Sequence, residues 1–236
     1  MECIILAGGL GTRLRSVIGA QPKCMAEVAG KPFLFYLLDY LVTQKCTRVI
    51  LSLGYMHEVI TGHPGLKTFP LIIDFVIEEQ PLGTGGGIRL AMNEAREANV
   101  AVINGDTMFQ VDFAEMLRLH ETRHADVTLA LKPMEDFDRY GAVTIDDQQL
   151  ITAFHEKAFR ASGLINGGVY IIKRTSFLAK TKDEIFSFEK EYLEPAVPLR
   201  RLAGYRADTY FIDIGIPSDF EKAQRDFSSG IISKQP

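Results

Sequence analysis

The chain has 236 residues, 47% hydrophobic and 24% charged, enough for one large domain or two fused lobes to bury a sizeable core. A net charge of −4 argues against a dedicated nucleic-acid binder, and no apolar run reaches the roughly 18 residues of a membrane span. Cys3, Cys24 and Cys46 are odd in number and lack CxxC spacing, which predicts reduced thiols in the cytoplasm rather than a disulfide framework.

Met1-Glu2 runs straight into an apolar stretch with no basic region, so no signal peptide is expected. Cys3–Ala7 is a short continuous apolar run ending in Gly8-Gly9 and reads as a central parallel strand. From Pro32 to Leu41 nearly every position is apolar, a length that suits a buried helix with Pro32 in its first turn. A strand over Arg48–Gly54, a short helix over Met56–Thr61, a strand over Leu71–Ile77, a helix over Gly87–Ala98 and a strand over Val100–Ile103 follow. This alternation predicts a doubly wound, Rossmann-like α/β domain, with a mixed, mostly parallel sheet and helices on both faces. Past Asp112 the texture changes. A helix over Phe113–His124 leads to strands over Asp126–Lys132, Tyr140–Ile145, Leu150–His155 and Gly163–Ile172. Phe186–Lys190 with Tyr192-Leu193 reads as an amphipathic element. A last strand over Thr209–Ile214 precedes a helix over Pro217–Phe227 and a flexible tail over 228–236. No repeat or linker interrupts the chain.

Gly8, Gly9 and Gly11 follow the first strand, with Thr12 and Arg13 next and Lys23 ten positions on. Glycine lets a backbone turn tightly and approach a ligand, and its N–H groups can then form an anion-binding concavity. A plain strand-to-helix turn is the bland alternative. The dinucleotide fingerprint would need a glycine where Leu14 stands, and the Gly-Lys-Ser/Thr of a Walker loop is absent, so this is a phosphate loop of a third kind.

Leu6-Ala7-Gly8-Gly9-Leu10-Gly11-Thr12-Arg13-Leu14, Pro22-Lys23 and Gly30-Lys31-Pro32 resemble the opening signature of the sugar-1-phosphate nucleotidyltransferases. The resemblance covers nearly the whole chain. It implies the nucleotide-diphospho-sugar transferase fold and transfer of a nucleotidyl group from a nucleoside triphosphate to a sugar 1-phosphate, with release of pyrophosphate. It further implies a nucleotide-binding half over about 1–110 and a sugar-phosphate-binding half over about 111–225 of a single domain. Asp136–Gly141, Gly163–Gly168 and Asp213–Pro217 look like the heptose 1-phosphate guanylyltransferase branch, which supplies activated heptose for surface glycans. Other bases, and glucose, mannose or N-acetylhexosamine 1-phosphate, remain open, as does self-association into a homo-oligomer. Cys24 departs from the family, which commonly has proline there.

The chemistry is mainly positioning and charge neutralisation. Leu6, Ala7, Gly8, Gly9, Gly11 and Thr12 are expected to cradle the triphosphate. Arg13 suits the β/γ-phosphates with its planar fork, and Lys23 suits the α-phosphate. Glu79–Gly85 matches the family segment beside base and ribose, which implicates Gln80, Pro81, Gly83 and Thr84; an amide at Gln80 can donate to and accept from a base edge. Asp106 and Asp213 each end an apolar strand, where open α/β sheets bind ligands, and the two carboxylates are expected to hold Mg²⁺. Asn104, Tyr140, Gly141, Glu156, Lys157, Asn166, Gly167 and Gly168 are expected around the sugar phosphate.

Two rivals come from other classes. His120-Glu121-Thr122-Arg123-His124 matches the zinc-peptidase pattern H-E-x-x-H, although Val127 stands where the longer metzincin form needs glycine. A non-catalytic nucleotide or sugar-phosphate sensor would have lost Lys23 or a carboxylate, and Lys23, Asp106 and Asp213 are all present.

Overall fold

The computed structural model describes residues 1–9, 11–181 and 183–230. The first apolar run forms β1 (Glu2–Ala7), and the glycine loop leads into α1 (Arg15–Ile18), a single turn. A 3-10 turn over Lys23–Met25 enters a small hairpin of β2 (Glu27–Val28) and β3 (Lys31–Pro32). Then come α2 (Phe33–Thr43), β4 (Arg48–Leu53), α3 (His57–Thr61), β5 (Ile72–Ile77), α4 (Gly83–Glu94) and β6 (Asn99–Asn104). The period-2 pattern of β1 explains why both faces are covered. Cys3 and Ile5 pack in one core with Leu34, Leu37 and Leu38 of α2, while Ile4 packs in a second core with Ile88, Ala91 and Met92 of α4. Burying an Ile or Leu side chain contributes about 1.5–3 kcal/mol, so each face holds its helix firmly.

The second half adds β7 (Thr107–Phe109), α5 (Phe113–Thr122), β8 (Val127–Phe137), β9 (Ala142–Ile145), β10 (Ile151–His155), β11 (Arg160–Lys173) and α6 (Arg174–Lys180). A π-helical stretch over Phe188–Leu193, α7 (Glu194–Ala196), β12 (Leu202–Arg206), β13 (Phe211–Asp213) and α8 (Pro217–Ser228) complete it. The main sheet runs β10-β9-β11-β6-β1-β4-β5, with β8 pairing the other edge of β11 and β12 outside β8. Pairs among β1, β4, β5 and β6 are parallel, and β11 joins them antiparallel to β6. The result is a mixed sheet with helices on both faces, as the βαβ alternation predicts.

Several boundaries differ from expectation. α4 starts at Gly83, four residues early, because its glycines admit a neighbouring segment. β8 and β11 run longer because they pair with each other from Arg160↔Phe137 to Ile172↔Val127. α5 opens on Asp112, whose Oδ1 accepts from the N–H groups of Ala114 and Glu115, and it ends at Thr122 rather than His124. The expected tail lies outside the described residues from 231 onward. No described helix is long and apolar enough to cross a membrane.

Candidate active site

At the carboxyl end of β1 the backbone passes very close to its neighbours. A Cβ on Gly54 would lie 2.9 Å from the Gly8 carbonyl oxygen, and one on Gly8 would lie 2.8 Å from Glu78 Oε1. Gly11 adopts φ +59°, and a Cβ there would press on the Lys23 stem at 3.2 Å. The bare loop therefore lets Lys23 run beneath it. It opens on a cleft of about 360 Å³ lined by Leu6, Ala7, Gly9, Gly11, Thr12, Arg13, Lys23 and Asp106, with Cys24, Gly105 and Gly215 completing the wall.

Backbone pairing brings the two carboxylates together. The Gly105 N–H donates to the Leu6 carbonyl at 2.8 Å, turning the chain after β6 so that Asp106 projects beside the loop. β7 then pairs antiparallel with β13, setting Thr107 opposite Asp213. The Ile214 N–H donates to the Asp106 carbonyl at 2.9 Å, and the Gly215 N–H to Asp213 Oδ1 at 2.7 Å. Lys23 Nζ pairs with Asp106 Oδ2. Burial, and then the charge of Asp106, push the Asp213 carboxyl above the usual carboxylate range. Of the two neighbouring acids, Asp106 is paired with Lys23, and no described basic side chain forms an ion pair with Asp213. The Cys24 thiol is buried and pushed up to about 12, first by burial and then by Asp106, so it is an inert wall group.

A second cleft of about 410 Å³ is lined by Asn104, Tyr140, Lys157, Asn166, Gly167, Gly168 and Asp213, and Arg13 borders both clefts. Its floor is a bulge in β11. Between Asn166↔Leu131 and Tyr170↔Leu129, β11 spends two more residues than β8. Gly168 there has φ +71°, and a Cβ would lie 2.5 Å from Asn104 Nδ2; one on Gly167 would overlap the Phe109 ring. The Asn166 amide is used to hold the bulge: Nδ2 donates to the Tyr170 hydroxyl at 2.9 Å, and Oδ1 accepts from the Gly168 N–H at 3.1 Å. Burial, and then Asp213, push the Tyr140 hydroxyl up to about 12. Glu156 is exposed and does not line this cleft. Gly141 does not line it either; a Cβ there would lie 2.8 Å from the His155 carbonyl, so its glycine lets β9 and β10 close together.

The segment expected beside the base is divided. Gln80 lines a third cleft, of about 560 Å³, with Glu78 and Glu79, whereas Pro81, Gly83 and Thr84 line none of the three. Gly83, at φ +73°, would set a Cβ 2.6 Å from the Phe186 carbonyl oxygen. The Thr84 hydroxyl donates to Glu189 Oε2 at 2.7 Å and accepts from the Phe188 N–H at 2.9 Å. Gly83 and Thr84 dock α4 onto residues 186–189. Among the residues not expected at these clefts are Glu78, Arg139 and Glu189. Glu78 lies under the glycine loop, with Oε2 accepting from the Leu82 N–H at 3.1 Å and Oε1 from the Ser52 hydroxyl at 3.3 Å. Arg139 and Glu189 line the second cleft. Glu78 had a readable signal, since it ends an apolar strand just as Asp106 does.

The zinc-peptidase reading fails on geometry. His124 has φ +48° beyond the end of α5, so the two histidines do not share a helical face. His120 is 2% exposed, its Nδ1 lies 2.9 Å from Thr128 Oγ1, and burial pushes its pKa down to about 4. Among the described residues, no group of three or more His, Cys, Asp or Glu side chains is placed to hold a metal by itself.

The family model for nucleotidyl transferases matches residues 2–230. The chain is 49% identical over 226 residues to a D-glycero-alpha-D-manno-heptose 1-phosphate guanylyltransferase of Aneurinibacillus thermoaerophilus, covering 96% of this chain and 98% of that protein. It is 43% identical over 220 residues to the like-named protein of Campylobacter jejuni, covering 93% and 97%. Among solved structures, HddC from Yersinia pseudotuberculosis complexed with GMP-PN superposes with a TM-score of 0.83 at 37% identity, covering 96% of this chain and 99% of that one.

Proposed function

The chain belongs to the nucleotidyl transferase family, and we propose that it transfers guanylyl from GTP to D-glycero-α-D-manno-heptose 1-phosphate, giving GDP-heptose and pyrophosphate. It is a sugar-1-phosphate nucleotidyltransferase. The observation that carries the reading is that two clefts meet at Arg13, one holding Lys23 and Asp106, the other Lys157 and Asp213.

In this reading the glycine-loop N–H groups hold the triphosphate and Arg13 grips its outer phosphates. Lys23, held by Asp106, presents its charge to the α-phosphate. An ionised oxygen of the sugar phosphate attacks the α-phosphorus. A P–O bond forms, the α–β bridging P–O bond breaks, and its electron pair leaves with pyrophosphate. No proton need move, so the work is orientation and neutralisation of charge. Asp106 and Asp213 form a hard oxygen donor pair whose mutual repulsion suits Mg²⁺ shared with phosphate oxygens. When bound, that ion would neutralise phosphate charge and polarise the α-phosphoryl group. The three free, buried cysteines suit a reducing cytoplasm, where GTP is available.

A panel of nucleoside triphosphates crossed with sugar 1-phosphates, read by pyrophosphate release, tests the assignment. The highest kcat/KM is expected for GTP with the heptose 1-phosphate. A higher value for another base, or for glucose, mannose or N-acetylhexosamine 1-phosphate, would replace that half of the assignment. Silence across the panel would refute transfer itself.

A further inference from the structure

We propose that Arg139 is the fixed phosphate clamp for the incoming sugar 1-phosphate, and that Asp219 is its positioning residue. The proposal rests on reading the second cleft as the sugar-phosphate site. Arg139 follows β8 and lines that cleft without lining the nucleotide cleft. Its side chain is 37% exposed, so the guanidinium is reachable yet walled.

One corner of its fork is tied down. Nη2 donates to Asp219 Oδ2 at 2.5 Å and to the Tyr140 hydroxyl at 2.8 Å. No described residue accepts from Nε or Nη1. A guanidinium carries five N–H groups in a rigid plane; with Nη2 spent on Asp219 and Tyr140, the Nε–H and the Nη1 amino group are left, each to donate singly to a phosphate oxygen. Asp219 is 25% exposed and sits in the first turn of α8, where the helix dipole favours its charge. α8 is itself clipped to the β2–β3 hairpin, because Gln224 Nε2 donates to the Glu27 carbonyl at 2.6 Å and its Oε1 accepts from the Ala29 N–H at 2.8 Å. Arg139 is thus held by a framework, whereas Lys157 is an exposed side chain with no ion pair among the described residues. Arg139 lines the same cleft as Asp213, so both face the space where the attacking phosphate would arrive.

Arg13 borders both of these clefts and serves both substrates; of the two, Arg139 borders only the sugar-phosphate cleft. Its loss should therefore separate the two Michaelis constants. Arg139→Ala is expected to raise the KM for heptose 1-phosphate by about ten- to a hundredfold, the loss of one charged hydrogen-bonding group, with little change in the KM for GTP. Asp219→Asn should raise the same KM by less. The preference for heptose over mannose 1-phosphate should not change, because the phosphate is common to both. If Arg139→Ala does not fold, Arg139→Lys keeps a charge for Asp219 but loses the fork, and it should show the same selective rise at smaller size. An unchanged sugar-phosphate KM in the folded variant, an equal rise in the GTP KM, or an altered heptose-to-mannose preference would overturn the proposal while the wild type remains active. A wild type that releases no pyrophosphate with any sugar 1-phosphate would overturn the functional reading and this one with it.

Discussion

Lys23 and Asp213 carry opposite burdens. Lys23 is compensated by Asp106, while no described basic side chain pairs with Asp213, which accepts one hydrogen bond, from the Gly215 N–H. Lys23→Ala should lower kcat by roughly 10²–10³, the usual loss when a preorganised charge at a reacting centre is removed, and steady-state rates check it. Asp213→Asn should abolish the response to Mg²⁺ and also stabilise the metal-free fold. The sign follows from the raised carboxyl. Stability is fully present below the unfolded value, near 3.9, and is lost as pH rises through the higher folded one. At neutral pH the ionised wild type is therefore the weaker fold. Thermal melts should show Asp213→Asn above wild type without metal, with the gap closing on acidification; a lower Tm would contradict this. Arg13, Lys23, Asp106 and Asp213 were legible because charges beside bare glycines or at strand ends have few structural uses. Arg139 and Glu189 were not, since what faces them comes from 80 and 105 residues away in the chain.

The first turn of α4 shows why element boundaries are harder to read. Gly85 and Gly86 have low helix propensity, so the sequence alone starts the helix at Gly87. The chain is helical there because residues 184–188 pack onto it. A Cβ on Gly85 would overlap the Phe186 ring, and one on Gly86 the Glu184 carbonyl. Gly86→Ala gains about 1 kcal/mol in helix propensity. It meets backbone that no rotamer can relieve, for which overpacking costs about 1–3 kcal/mol or more. The clash wins, so the urea midpoint should fall; an unchanged or higher midpoint would show that residues 184–188 yield freely. Thr84→Val should cost about 1–3 kcal/mol in the same assay by stranding the Phe188 N–H. β7, α6 and β12 escaped prediction for a related reason: three to seven residues carry too little periodicity, and the two strands are made by pairing with β13 and β8.

Taken together, a parallel frame presents the glycine loop and Asp106, and an antiparallel extension swings the β11 bulge and Asp213 over them. On the second half, His120 of α5 is buried against Thr128 of β8 as packing. Its folded pKa of about 4 lies below the ordinary 6.5, so the unfolded chain takes the proton first. Stability is intact above pH 6.5 and falls toward pH 4, by about 3 kcal/mol. His120→Asn should flatten that slope in denaturant titrations. The proposed reaction is a direct attack of one phosphate on the other, with no covalent nucleotidyl-protein stage. Exchange of labelled pyrophosphate into GTP tests this. With Mg²⁺ and GTP alone, no label should enter GTP, and adding GDP-heptose should switch exchange on; label entering without any sugar, or none entering with it, would contradict direct transfer between the two clefts.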